Sequence, residues 1–200
     1  MAPRILRMPR YNCHMEPMTQ SFKHTVTALL AGVWFSLPLQ AHADDLDDLF
    51  AQLAVAGEGE HSQIAREILR SWEKSGSASM DLLLRRASDA MEDGLPEVAV
   101  DHFTALIDHA PDFAEGYHGR ASAYYALDLI GPALDDLRQV LVLEPRQFDA
   151  MFGLGVIMEG LEQPQNALDV YQMILEIYPF EEKALEAVAR LTLQLEGQAI

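Results

Sequence analysis

The stretch that decides the fold is residues 117–145, YHGRASAYYALDLIGPALDDLRQVLVLEP. It contains two runs in which apolar residues recur at helical spacing, and Gly131-Pro132 separates them. Because proline is tolerated in the first turn of a helix but interrupts its interior, this pattern predicts two helices joined by a short turn. Pro145 then ends the second helix.

The same pattern recurs with a period of 34 residues on both sides of this stretch. Four kinds of residue keep that interval: prolines, alanines, small residues and large apolar residues. They are Pro111, Pro145 and Pro179; Ala99, Ala133 and Ala167; Ala87, Ala121 and Gly155; and Phe103, Leu137 and Tyr171. A constant period of this length indicates stacked helical hairpins. We expect the small residues to let the two helices of each hairpin approach, and the large ones to pack against the neighbouring unit.

These columns resemble those of the tetratricopeptide repeat (TPR) family. Unit 114–147 carries the clearest match, in Tyr117, Ala121, Tyr124, Ala133, Leu137 and Pro145. The resemblance implies an all-α solenoid of three TPR hairpins, at residues 80–113, 114–147 and 148–181. Residues 182–200 continue the apolar spacing without a second helix, which predicts a terminal capping helix.

Residues 44–79 are predicted to form an N-terminal helical pair. Ala65 and Leu69 continue the alanine and large apolar columns, and Ser77 takes the proline position. These matches favour a degenerate fourth repeat. Glycines in the turn obscure the register, so an unrelated N-terminal cap is the alternative.

Residues 1–43 have the pattern of an export signal. The uncharged run 26–39 follows Lys23 and precedes Ala41-His42-Ala43. A basic start, a short apolar run and a small-residue end are typical of a secretory signal peptide, here cut after Ala43. The run is too short for a membrane span, which needs roughly 20 apolar residues. We therefore expect a periplasmic protein that meets the membrane only through this segment before cleavage.

The start of this signal has two further candidates, Met15 and Met18, because either would give the signal a more ordinary length. The only cysteine, Cys13, would leave with the signal, so the mature protein would have no disulfide. The chain has 31 acidic and 14 basic residues and a net charge of −17. This acidic balance argues against nucleic-acid binding, which depends on basic residues that release counterions from phosphates.

Catalytic and metal-binding motifs are not evident in the sequence. It has no His-Glu-x-x-His pair, no glycine-rich phosphate loop after a strand, and no evident set of nucleophile, base and orienting group. We therefore expect no enzyme activity and no metal or cofactor. Arg86 and Arg120 share one column and are expected to pack their stems between helices with their heads paired to acids. Acidic pairs such as Asp135-Asp136 are expected to be solvated.

The resemblance to TPR proteins also implies a concave surface lined by the first helix of each hairpin, which the family uses to hold peptide segments or partner helices. The matching positions are Leu84, Ser88, Met91, His118, Ser122, Tyr125, Phe152, Val156 and Glu159. Among them, Tyr125 and Phe152 are expected to form one apolar strip with Leu84, Met91 and Val156.

Some TPR domains clamp the carboxylate tail of a chaperone with basic and amide side chains. The corresponding residues here are Leu84, Ser88, Gly119, Asp149 and Gly153, and none of them is basic or carries an amide. We therefore expect a protein-interaction module that holds a hydrophobic or basic segment of an envelope protein. The alternative is a structural subunit or accessory factor of an envelope assembly that docks by another face.

Overall fold

A computed structural model describes residues 39–57 and 59–198, and within them the chain forms nine helices and no strand. The helices are α1 (Leu39–Val55), α2 (His61–Trp72), α3 (Ala78–Glu92), α4 (Pro96–His109), α5 (Ala114–Ala126), α6 (Ile130–Leu143), α7 (Phe148–Gly160), α8 (Pro164–Ile177) and α9 (Glu182–Gln198). The predicted export signal lies outside the described residues except for 39–43, which form the beginning of α1.

Six of the helices form three consecutive hairpins, α3–α4, α5–α6 and α7–α8. The facing small residues are fully or almost fully buried, as the periodic columns predict. In the central hairpin, for example, Ala121 and Ala133 belong to one buried cluster and are 2% and 0% exposed. Each second helix ends two residues before its periodic proline, because proline cannot continue the helix.

The turn inside each hairpin repeats the same backbone geometry. Gly94, Asp128 and Glu162, spaced by 34 residues, have positive φ angles of 71°, 61° and 59°. The N–H of the residue after each donates to a carbonyl five residues earlier, at 2.8 to 2.9 Å. This is the left-handed cap that commonly ends helices, and it is strained for residues other than glycine.

Neighbouring hairpins meet where a large side chain of one faces a glycine of the next. A Cβ atom at Gly119 of α5 would overlap the ring of Phe103 from α4. One repeat later, a Cβ at Gly153 would lie an ordinary 3.8 Å from the methyl carbons of Leu137. The large apolar column therefore packs against the next unit in these two repeats, as expected.

The N-terminal pair α1–α2 packs against the far end of the stack. Phe50 of α1 and Ile68 of α2 are buried in one cluster with residues of α7, α8 and α9. Among the described helices, α2 does not pack on α3 in the way that α4 packs on α5. The pair thus departs from the arrangement of a fourth repeat placed ahead of α3, although its sequence continues two of the repeat columns.

Aromatic contacts hold the pair against the turns between hairpins. The ring of Trp72 lies 5.0 Å from that of Phe148, the first residue of α7. His61 Nδ1 lies 2.8 Å from the hydroxyl of Tyr178, and its ring stacks on Phe180 at 5.0 Å. Arg146 completes the junction with a 2.8 Å ion pair to Asp47 and lies over the Phe50 ring at 4.1 Å. These contacts join residues far apart in the chain because the pair returns along the edge where the hairpins connect.

The last helix, α9, packs on α8 through three buried residues, Ala184, Ala187 and Leu191. On its other side, Leu185 and Leu193 remain 44% and 71% exposed. None of the helices in residues 39–57 and 59–198 has both the length and the apolar character that crossing a membrane requires.

Candidate binding groove

A cavity of about 220 Å³ opens between the first helices of the second and third hairpins, α5 and α7. It is lined by His118, Ala121, Ser122, Tyr125, Leu137, Gly153, Val156 and Ile157. Because residue 153 is a glycine, the cavity reaches down to the side chain of Leu137. The lining is largely apolar, with the imidazole of His118 and the hydroxyls of Ser122 and Tyr125 as its polar side-chain groups.

This cavity brings together four of the predicted groove residues, His118, Ser122, Tyr125 and Val156. Tyr125 is 47% exposed, which is unusual for a large aromatic side chain and leaves its ring open to a partner. The residues come together because their spacing places them on neighbouring faces of α5 and α7.

The other five predicted residues lie elsewhere. Phe152 is partly buried against Tyr171, with ring centroids 5.3 Å apart, and Met91 packs on the core of the first hairpin. Leu84 is only 8% exposed. The expected continuous apolar strip is therefore absent among these described residues, because Leu84, Met91 and Phe152 turn toward the protein interior.

Glu159 is already engaged. It accepts two hydrogen bonds from Arg190 of α9, at 2.6 and 2.9 Å, and one from the Tyr171 hydroxyl at 3.0 Å. The hydrogen bond from Arg190 is the main reason that the pKa of Glu159 lies below its ordinary value. This carboxylate is therefore part of the junction between α7, α8 and α9.

A second depression, of about 530 Å³, lies between α3 and α5 and reaches the end of α2. Two predicted groove residues, Leu84 and Ser88, line it. Around them stand five acids and three basic residues: Glu73, Asp81, Asp89, Glu92 and Glu115, with Arg70, Lys74 and Arg85. Carboxylates thus outnumber cations on this part of the surface.

Glu115 and His118 connect the acidic depression with the apolar cavity. His118 Nδ1 lies 3.1 Å from one Glu115 oxygen, and the amide of buried Gln147 donates to the other at 2.7 Å. Burial lowers the pKa of His118, but the hydrogen bond to Glu115 and the charges of Glu115 and Asp149 outweigh it, so the net shift is upward.

Three of these acids belong to a column that the sequence analysis missed. Asp81, Glu115 and Asp149 occupy the first turns of α3, α5 and α7 at intervals of 34 residues, and Lys183 of α9 continues the column. Acids in a first turn stabilise a helix through its dipole, which is their simplest role. Asp149 differs in that desolvation, with repulsion from Glu115, raises its pKa. The repeat period could have revealed this column.

Arg120, by contrast, has the structural role that the sequence predicts. It forms a bidentate pair with Asp136 of α6 at 2.7 and 2.8 Å, and it also donates to Thr104 at 3.2 Å. Asp136 is only 6% exposed, so the expectation that it is solvated is wrong. Arg86 is exposed and forms no ion pair with the described residues. Within the described residues, no cluster of histidine, cysteine, aspartate or glutamate could hold a metal ion.

The stacked hairpins and the groove along their first helices define a helical-repeat protein-interaction scaffold. The tetratricopeptide repeat family model matches residues 130–182. A TPR repeat-containing protein of Rhizobium etli is 34% identical over 153 residues, which cover 76% of this chain and 75% of that protein. The chain belongs to the tetratricopeptide repeat family.

Other similar proteins share part of this architecture. Hsp70-Hsp90 organizing protein 2 of Arabidopsis thaliana is 28% identical over 97 residues, or 48% of this chain and 17% of that protein. The structure of the first TPR of Spaghetti (RPAP3) bound to the HSP90 peptide SRMEEVD has a TM-score of 0.56 at 22% identity, covering 58% of this chain and 93% of that one. MamA has a TM-score of 0.55 at 20% identity, covering 72% and 87%. At these identities the structures share the fold.

Proposed function

We propose that this TPR protein is exported, loses residues 1–43, and holds a hydrophobic or basic segment of an envelope protein on its concave face. The observation that carries the proposal is the apolar cavity between α5 and α7, with exposed Tyr125 at its mouth. Partly exposed aromatic residues beside an apolar pocket dominate binding energy in protein interfaces.

The charge of the groove favours such a segment over an acidic tail. The HSP90 peptide SRMEEVD, bound by the first TPR of Spaghetti, carries three acidic residues. In this chain, carboxylates stand at the first turns of α3, α5 and α7. An acidic peptide would be repelled there, whereas an apolar or basic segment would not.

The groove is tested by site-specific photo-crosslinking in the native envelope, followed by mass spectrometry. A photoreactive residue at Ser122, on the cavity, should capture a partner, and the same residue at exposed Asp101 of α4 serves as the matched control. Tyr125→Ala should weaken capture from Ser122 by roughly 2 kcal/mol, the usual loss at an interface hot spot. Equal capture from both positions, unchanged by Tyr125→Ala, would refute the groove.

Export is tested separately. N-terminal sequencing of the protein from the periplasmic fraction should begin at Asp44. Protein retained in the membrane with residues 18–43 attached would instead identify the apolar run as an anchor.

The exposed leucines of α9 favour a second candidate, a structural subunit that docks through its C-terminal helix. Leu185 and Leu193 lie where another helix would continue the stack. Assembly of such a subunit would respond to Leu185→Ser with Leu193→Ser and be indifferent to Tyr125→Ala. The two variant sets in the same crosslinking experiment separate the two functions.

A further inference from the structure

The concave face presents two adjoining surfaces of different chemistry. The cavity between α5 and α7 is apolar, and the depression between α3 and α5 is lined mainly by acids. They are neighbours because α5 contributes to both, through His118 to the cavity and through Glu115 to the depression. A single bound segment can therefore occupy both at once.

From this juxtaposition, and resting on the proposed function, we infer that the groove recognises a two-part segment of its partner. An apolar side chain fills the cavity between α5 and α7, and a lysine or arginine a few residues away enters the depression between α3 and α5.

The size of the cavity suits a single large apolar side chain. Its floor is open because Gly153 has no side chain, and Tyr125 and Val156 are placed to cover the occupant from either side. Burying such a side chain supplies affinity with little discrimination among sequences.

Charge supplies the second part of the recognition. Asp89 and Glu92 line the depression, are exposed, and form no ion pair with described residues. Beyond Glu115, Asp149 lies one turn from cavity-lining Gly153 on α7 and likewise has no ion-pair partner there. A cation reaching these carboxylates would relieve their mutual repulsion, and the three basic residues of the depression do not outnumber them.

The distance between the two surfaces sets the spacing in the segment. Neighbouring packed helices lie about 8–10 Å apart. An extended chain advances about 3.3 Å per residue, so about three residues separate the apolar anchor from the basic side chain.

The test uses fluorescein-labelled ten-residue Gly/Ser peptides and the purified full chain, with binding followed by fluorescence anisotropy. One peptide carries a Phe and, three residues away, two Lys. Three relatives replace both Lys by Glu, both Lys by Ser, or Phe by Ala, and SRMEEVD serves as the acidic reference. At about 50 mM salt the Phe/Lys peptide should bind at least tenfold more tightly than every other peptide. The gap between the Lys and Glu peptides should shrink at about 500 mM salt as the charges are screened.

Matched variants assign each part to its surface. Asp89→Asn with Glu92→Gln should reduce the Lys preference at least fivefold, whereas Asp101→Asn with Asp108→Asn, which removes the same charge from exposed positions on α4, should not. Gly153→Leu, which fills the cavity, should weaken every Phe peptide while leaving helicity unchanged by circular dichroism.

Three results would overturn the two-part segment: equal binding of the Lys and Glu peptides, equal binding after Phe is replaced by Ala, or no binding of any peptide. Each leaves the proposed function standing if Tyr125→Ala still abolishes crosslinking from Ser122. That function fails separately, when crosslinking is indifferent to Tyr125→Ala.

Discussion

At the scale of single residues, two glycines at equivalent positions should respond oppositely to the same change. Gly119→Ala places a methyl group into the ring of Phe103, which is 2% exposed and has little room to move. Such overpacking costs about 1–3 kcal/mol. Gly153→Ala meets Leu137 at 3.8 Å and gains up to about 1 kcal/mol of helix propensity. Urea unfolding should show the first variant below the parent and the second at or above it.

The partner of this contact provides the control. Phe103→Leu in the Gly119→Ala background recreates the Leu137–Gly153 arrangement and should restore more stability than additivity predicts. Equal losses in both alanine variants would contradict the packing described here.

Titration of His118 is a second prediction at this scale. Its pKa is raised in the folded protein, so protonation favours folding: the stabilisation is complete below about pH 6.5 and is lost as pH rises through the folded-state value. NMR titration of the imidazole should give a pKa above 6.5, and Glu115→Gln should lower it. The same variant should reduce the difference in unfolding free energy between pH 5.5 and pH 8. An unshifted His118 in the parent would remove Glu115 as its partner.

At the scale of elements, the turns inside the hairpins contain an avoidable strain. Glu162 has φ 59° at a position where the first repeat has Gly94. A left-handed backbone costs an ordinary residue about 1–2 kcal/mol, part of which glycine gives back as unfolded-state entropy. Glu162→Gly should therefore stabilise the protein by about 0.5–1 kcal/mol in thermal or urea unfolding.

The matching control is Gln172→Gly, on an exposed face in the middle of α8, which should destabilise by about 1 kcal/mol. If both glycine variants lose stability, the left-handed cap at Glu162 is not a source of strain.

These turns show where sequence reasoning reached its limit. The alanine and proline columns predicted the hairpins because close helix approach and helix termination restrict residue identity. The left-handed positions Asp128 and Glu162 escaped notice because only the first repeat marks this position with glycine. The pattern also placed His118, Tyr125 and Val156 on one surface. It could not show that Glu159 pairs with Arg190, because that contact depends on side-chain conformation across helices.

At the scale of the whole molecule, the N-terminal pair changes how the repeats are coupled. A simple solenoid couples each unit only to its neighbours in sequence. Here α1–α2 shares a buried cluster with α7–α9, so the beginning and end of the described chain support each other. No periodic column announces this packing, because it depends on aromatic contacts such as Trp72 with Phe148 across 76 positions of the sequence.

Hydrogen exchange measured after matched core truncations tests this coupling. Ile174 of α8 and Leu106 of α4 are both 0% exposed, and replacing either with alanine should cost about 2–5 kcal/mol. Ile174 lies in the cluster that contains Ile68 of α2, whereas Leu106 lies in the cluster of the first hairpin. Ile174→Ala should therefore reduce amide protection in α2 more than Leu106→Ala does, although α4 is far closer to α2 in sequence. The reverse order would mean that α1–α2 stacks ahead of α3 as a fourth repeat, since local opening spreads first to the elements in contact.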